Sequence, residues 1–327
     1  MSNPALRAWV VARKELLDLR RDRLFAVLMV FLMIATLISV GVAAASFRTQ
    51  IDAYNLYVQQ LIAAGSTTKP AAPTFFPLQL LRGGVEYLEI LGALFAIVLA
   101  YGTIAKEKHR GTLQLILSRP IGRFAIPLGK VAGLALVWAA VVALLTVATT
   151  IAIVVIGNAP LQPIDGARIL IAAIVAWLYL TFWSALAIGI TALAPRLSTG
   201  LIVSIVVWLA FVLIIPQIGD TMDPDNQVPG GLFATLQIKK ADELTVLANF
   251  AGFDGIRNGL EVSSITKHFE RLSFTFLGIK DKYNQQPLDF VWADMWGYAF
   301  TLAVATLASV TFAVGATTRR TLQRKIS

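Results

Sequence analysis

The chain has no cysteine, only two histidines and little charge: 14% of its 327 residues are Asp, Glu, Lys or Arg, against 57% hydrophobic. Soluble domains carry roughly 25% charged residues, so a chain this poor in charge cannot clothe its own surface in water. Without cysteine there are no disulfides and no thiolate metal sites. His109 and His268 stand far apart with no partner at ligand spacing. That leaves them solvation or packing roles and gives metal hydrolysis no footing. Proline is present but displaced. All 13 prolines fall outside six runs that hold no charged residue: Leu24–Ala45, Ile90–Ala105, Val131–Ile156, Ile169–Leu193, Leu197–Ile215 and Met295–Ala316.

About 20 apolar residues at 1.5 Å rise cross a hydrocarbon core of about 30 Å, and a mid-helix proline would break such a crossing. The short second run can borrow Tyr87 and Leu88. The first run, at 22 residues, exceeds the roughly 7–15 of a signal-peptide core, and acids are mixed with the bases before it. It reads as a span. The expected fold is all-α: a polytopic membrane protein with six transmembrane helices.

Charge is distributed unevenly. Residues 1–23 hold six bases against three acids, segment 106–130 holds six bases against Glu107 alone, and the tail adds Arg319, Arg320, Arg324 and Lys325. Segment 217–294 is the reverse, with eleven acids and seven bases. Loops on the cytoplasmic side are enriched in Lys and Arg, so both termini are expected to be cytoplasmic. The membrane accounts for this basic face without nucleic acid. The chain then divides into a cytoplasmic interfacial helix (1–23), five spans with an inner loop at 106–130 (24–216), an extracytoplasmic segment (217–294), and the sixth span with its basic tail (295–327). The outer segment contains helical periodicity at Ile265, Phe269, Leu272 and Phe276, and a second helix is expected over Leu232–Phe250. It is either a small helical cap on the membrane domain or a platform for an extracytoplasmic protein.

An ion-coupled carrier needs ionisable groups at membrane depth, and the six runs contain none. Glu86 and Glu89, with Arg82 one turn earlier, stand at the outer entrance of the second span as interfacial anchors or as parts of an outer gate. Gly122–Lys130 is no phosphate loop, because its glycines enclose six residues and Val131 replaces the Ser/Thr that would hold magnesium. Asp223–Asn226 opens like a calcium loop, but Val228 and Ala234 replace the glycine and glutamate it requires. The chain is therefore expected not to be an enzyme, and any uphill transport must draw its work from a partner.

Two inner elements offer a place for that partner. Residues 1–23 form an amphipathic helix starting near Pro4, with Leu6, Trp9, Val10 and Leu17 on one face toward lipid or neighbouring helices. In the inner loop Gly111 ends the extended second helix, Thr112 can cap a short helix over Leu113–Ser118, and Pro120 stops it. An apolar insert between charged flanks suits either burial at the membrane interface or docking into another protein. Gly129 and Gly133 have the spacing that lets helices approach closely, within this chain or between subunits.

The sequence Glu107-x-x-Arg110-Gly111-Thr112-Leu113, then Leu117-Ser118-x-Pro120-Ile121, Arg123 and Gly129-Lys130, resembles the first cytoplasmic loop of type-two ABC exporter permeases. The likeness is strongest to the permease group of the nitrous-oxide-reductase maturation transporter. Ala12-Arg13-Lys14-Glu15-Leu16 is similar to that family's amino-terminal helix. The resemblance implies that Glu107, Arg110, Gly111, Thr112, Leu113, Leu117, Ser118, Arg119, Pro120 and Arg123 couple to a cytosolic ATP-binding-cassette ATPase. It also implies pairing with a second permease, identical or similar, in the cell inner (cytoplasmic) membrane. ATP and magnesium would be held by the ATPase, with no cofactor in this chain. Segment 217–294 departs from a copper-handling role, having one histidine, Met222 and no cysteine. The function expected is that of a permease subunit for ATP-driven export. The alternative is an integral-membrane scaffold that recruits an extracytoplasmic partner without itself transporting.

Overall fold

Helix α1 (Pro4–Arg20) starts at a proline, whose fixed φ and missing N–H suit a first helical turn. It ends at a tight bend where the Leu24 N–H donates to Asp22 Oδ1 at 3.1 Å, capping α2 (Arg23–Ala63). The computed structural model describes residues 4–65, 76–109, 124–222, 235, 236, 242, 245, 251–318 and 321, and all regular structure among them is helical. Among the described residues, six helices are long and apolar enough to cross a membrane: Arg23–Ala63, Pro77–Glu107, Ala125–Val155, Pro163–Leu193, Leu197–Gly219 and Leu288–Ala316. Each contains the charge-free run expected for it or all but its last residue, and each is longer.

The first span runs on as one helix for 18 residues past Ala45, and Gly65 follows it in the left-handed region at φ +78°. The second span is composite. A 3₁₀ turn (Pro77–Leu81) leads into α3 (Arg82–Tyr87), a π turn (Leu88–Gly92) and α4 (Ala93–His109). The third span is α5 (Ala125–Val155) and the fourth α6 (Pro163–Leu193), where the Gln162 N–H donates to Asp165 Oδ2 in a capping box. The fifth is α7 (Leu197–Trp208), a π turn (Leu209–Ile214) and α8 (Ile215–Thr221). After α9 (Ala251–Ser263) and α10 (Ile265–Phe276), the sixth span is α11 (Leu288–Ala316). The helix expected over Leu232–Phe250 falls, apart from single positions, outside the described residues.

The fourth span is the centre of the bundle. It packs against α11, α4, α5, α10 and α7, and Tyr179, Leu180, Ala185, Ile188 and Ala192 along it are fully buried. Two of its polar side chains tie it to α5: Ser184 Oγ accepts from the Trp138 indole at 2.9 Å, and the Trp177 indole donates to the Ala135 carbonyl at 2.8 Å. The first, fifth and sixth spans lie outside it and leave Val27, Ile34, Ile202, Val206, Phe300 and Leu307 exposed, a surface suited to hydrocarbon.

Helix α10 packs deep into the bundle. Thr266 meets Tyr179 in the middle of α6, while Phe276 meets Arg168 near its start. Helix α10 therefore runs antiparallel to α6 and re-enters the bundle from the end opposite the termini. Its deep end lies ten residues, about 15 Å, inside the fourth charge-free run. The expected apolar face is correct: Phe269, Leu272 and Phe276 are fully buried, and Phe269 stacks on Tyr179 at 4.4 Å between centroids. However, Lys267 and His268 are buried too, so ionisable groups reach depths that the spans alone do not supply. Each is partnered, Lys267 by Glu270 at 2.7 Å and His268 Nδ1 by the Ser264 carbonyl at 3.0 Å.

The glycine pair resolves to packing within the chain. A Cβ at Gly129 would meet the Ala8 carbonyl at 2.7 Å, and one at Gly133 the Cβ of Glu15 at 2.9 Å. Both glycines exist to seat α1 on α5. Gly129→Ala is expected to destabilise the detergent-purified protein by about 1–3 kcal/mol through overpacking. Gly102→Ala, where nothing lies within 4 Å of the added Cβ, is expected to leave the melting temperature unchanged or slightly raised.

Candidate functional site

The inner loop spans 110–123, so Arg110, Gly111, Thr112, Leu113, Leu117, Ser118, Arg119, Pro120 and Arg123 lie outside the described residues. What the structure describes is the base on which that loop stands. Its two stems are the end of α4, carrying Glu107, and the start of α5, carrying Lys130. Both meet α1.

Lys130 has no exposed surface. Its ammonium donates to Glu15 Oε1 at 2.8 Å and to the Thr103 carbonyl at 2.9 Å, and lies 3.0 Å from Glu107 Oε2. The other oxygen of Glu107 takes a 2.5 Å bond from Lys14 Nζ, which is also 3.5 Å from Glu15 and Asp18. Next to Glu107 in the chain, Lys106 pairs with Asp22, the residue that caps α2. A buried charge is tolerated only when it is paired and hydrogen-bonded. Here two ammonium groups face two buried carboxylates, drawn from α1, α4 and α5. Both carboxylates are taken up by ammonium groups. What it does is mechanical: it makes three helices one body at the root of the loop.

A family model described as ABC-2 family transporter protein matches residues 9–325. The chain belongs to this family. Two relatives bear the name probable ABC transporter permease protein NosY. The one from Stutzerimonas stutzeri is 27% identical over 268 residues, which cover 79% of this chain and 87% of the relative. The one from Pseudomonas aeruginosa is 34% identical over 134 residues, 40% of each chain. The present chain is thus an ABC transporter permease subunit, embedded in a membrane by several spans, and a permease of this kind implies a partner ATPase.

Of the coupling residues expected in this permease, Glu107 is the one described, and it is buried at the ion-paired node. The remaining members of the node, Glu15 and Lys130, were legible only as parts of a resemblance. The physical signal was present in α1, where Ala8, Val11, Ala12, Glu15 and Leu19 form a second face of small residues with one acid. That face, not the Trp9 face, packs on α5: Leu6, Trp9, Val10 and Leu17 are all exposed.

At the opposite end, Glu86 and Glu89 part company. Glu86 is half-buried and takes a 3.1 Å bond from Arg82 Nε. Glu89 stands three turns inside a helix that starts at Pro77, so it is deeper than an entrance position. It is buried within the π turn, and its carbonyl accepts from the Tyr179 hydroxyl at 2.8 Å.

Lys130→Met removes the buried cation that Glu15 and Glu107 share and leaves them only the half-exposed Lys14. Unfolding in detergent is expected to show a loss of about 3–5 kcal/mol, and adding Glu15→Gln and Glu107→Gln should restore much of it. A second test uses pH. Burial works against the Lys14 ammonium, but Glu15, Glu107 and Asp18 outweigh it and hold its pKa above the ordinary 10.5. A raised folded-state pKa means that the stabilisation from Lys14 is complete below the unfolded-state value and fades as pH climbs through the folded one. Melting temperature should therefore fall more steeply above pH 10.5 in the wild type than in Lys14→Met.

Proposed function

We propose that this permease is half of an ATP-driven exporter, gripping a cytosolic ATPase through residues 110–123. The observation that carries the reading is the fully buried Lys130, which binds Glu15 and Glu107 and so ties both stems of the loop to α1. A loop on flexible stems would absorb a push from the ATPase. On stems cross-braced by ion pairs, the same push is delivered to α1, the second span and the third span together. Glu107 stands at that root, with Arg110, Gly111, Thr112, Leu113, Leu117, Ser118, Arg119, Pro120 and Arg123 as the docking surface. ATP and magnesium belong to the ATPase, whose closure favours one arrangement of the spans over another.

In this reading the termini and the basic loop are cytoplasmic, because Lys and Arg cluster there, and segment 217–294 is extracytoplasmic. A second permease chain, identical or similar, completes the translocation path in the cell inner membrane. The permease itself hydrolyses nothing. The apolar spans pass the substrate, and Glu86 lies where the path meets the outside, with Glu89 one turn further in.

The decisive test places a single cysteine at Ser118. In intact cells Ser118→Cys should resist a membrane-impermeant maleimide and should react once the cells are permeabilised. Reaction in intact cells would put the loop on the wrong side and end the proposal. Leu117→Asp should abolish ATPase stimulation and transport in proteoliposomes while leaving the melting temperature of the permease unchanged. Full transport by that variant would rule out docking through this loop.

A further inference from the structure

Between the first and third spans runs an apolar groove of about 360 Å³. Its walls are two helix stripes. Phe25, Met29 and Met33 recur every four residues on α2, and Val137, Ala140 and Leu144 recur at i, i+3 and i+7 on α5. From Phe25 to Met33 the helix rises about 12 Å, so the groove follows the spans lengthwise. Leu16 and Leu19 of α1 frame its end nearest the termini. Ala26 and Ala140 line it from exposed positions, and their small side chains leave its mouth open on the surface suited to hydrocarbon. One lining side chain is charged. Arg20, the last residue of α1, stands on the rim, with Arg21 and Arg23 beside it in the chain and all three exposed. Among the described residues none of the three makes an ion pair, and the acids between and before them are occupied: Asp22 by Lys106, Asp18 by Lys14 at 3.5 Å.

We infer that this groove binds one anionic phospholipid, with an acyl chain between the first and third spans and the phosphate at Arg20. Basic pockets between transmembrane helices are suited to anionic headgroups, and here the basic rim opens directly into a slot for hydrocarbon. A water-soluble anion would leave the slot empty, and a neutral lipid would leave the arginines without counter-charge. Arg21 and Arg23 add attraction at headgroup level. Met29 and Met33, unbranched and pliable, adapt the wall to chains of different shape. The lipid supplies what the chain lacks at this place, apolar atoms between α2 and α5 and negative charge at the turn from α1 to α2. Leu16 also adjoins Glu15 of the ion-paired node, so an occupied groove steadies α1 on α5.

The test uses full-length protein stripped of lipid in detergent and titrated with dioleoylphosphatidylglycerol or dioleoylphosphatidylcholine, the bound lipid being counted by native mass spectrometry. One phosphatidylglycerol should bind more tightly than phosphatidylcholine. Arg20→Gln should weaken it about fivefold, the scale of one basic side chain at an anionic surface, and Arg20→Gln with Arg21→Gln and Arg23→Gln on the order of a hundredfold. Ala140→Phe, or Ala26→Phe from the opposite wall, fills the slot from an exposed position and should abolish the preferred binding. Leu307→Phe, on an exposed part of α11 outside the groove, should change nothing, and glycerol 3-phosphate should not compete. Equal binding of the two lipids overturns the site, as does binding that survives both slot-filling variants or the triple arginine variant. Competition by glycerol 3-phosphate also overturns it, because the arginines would then hold phosphate without the slot. If the slot-filling variants instead split a dimer and spare the lipid, the groove belongs to a second copy of the chain and the lipid assignment fails.

Discussion

A lysine ammonium with no exposed surface cannot stand in an apolar bundle without counter-charge, and the part of this permease nearest its termini is arranged around meeting that demand at Lys130. Its partners come from sequence positions as distant as Glu15 and Glu107, so satisfying one side chain gathers α1, the second span and the third. The glycines at 129 and 133 are the steric counterpart, since only a helix without Cβ atoms there lets α1 come close enough for Glu15 to reach. Two ammonium groups against two carboxylates leave the node neutral, which is the condition for burying it. The same node roots the loop through which the permease is proposed to take up force.

At the opposite end the fourth span reaches its neighbours through main-chain acceptors rather than carboxylates. The Arg168 guanidinium donates to the Phe276 carbonyl at 3.1 Å and also to the Gln286 carbonyl. It thereby clamps the far end of α10 and the approach to the sixth span onto the fourth. Carboxylates tie α1 to the second and third spans at one end, and carbonyls tie the fourth span to its neighbours at the other. Carbonyl acceptors can be exchanged between donors at little electrostatic penalty, whereas separating a buried ion pair is expensive. The asymmetry suits an end that stays together and an end that rearranges.

The six crossings are legible in the sequence because charge and proline are both excluded from a hydrocarbon-spanning helix, and each exclusion marks the same runs. The re-entrant path of α10 is not. Its apolar face at Phe269, Leu272 and Phe276 gives the helix away, but Lys267, His268, Glu270 and Arg271 read as exposed to water. Only their partners in space make burial affordable: Lys267 with Glu270, and Arg271 with Glu261 and the Tyr298 hydroxyl. Lys130 was hidden for a related reason. A lone lysine at a helix start reads as a residue that snorkels to the interface, and its carboxylate lies 115 residues away. The π turns leave no trace in composition, because an added residue in a run of leucine, alanine and phenylalanine does not alter the pattern.

The first span also sets a scale for motion. Its helix continues without a break from Ala45 to Ala63, a rod of roughly 27 Å at 1.5 Å per residue. A rigid rod rooted in a bilayer acts as a pointer. A tilt of about 10° at its root swings the tip by about 5 Å, so small reorientations among the packed spans become displacements wide enough for another molecule to feel.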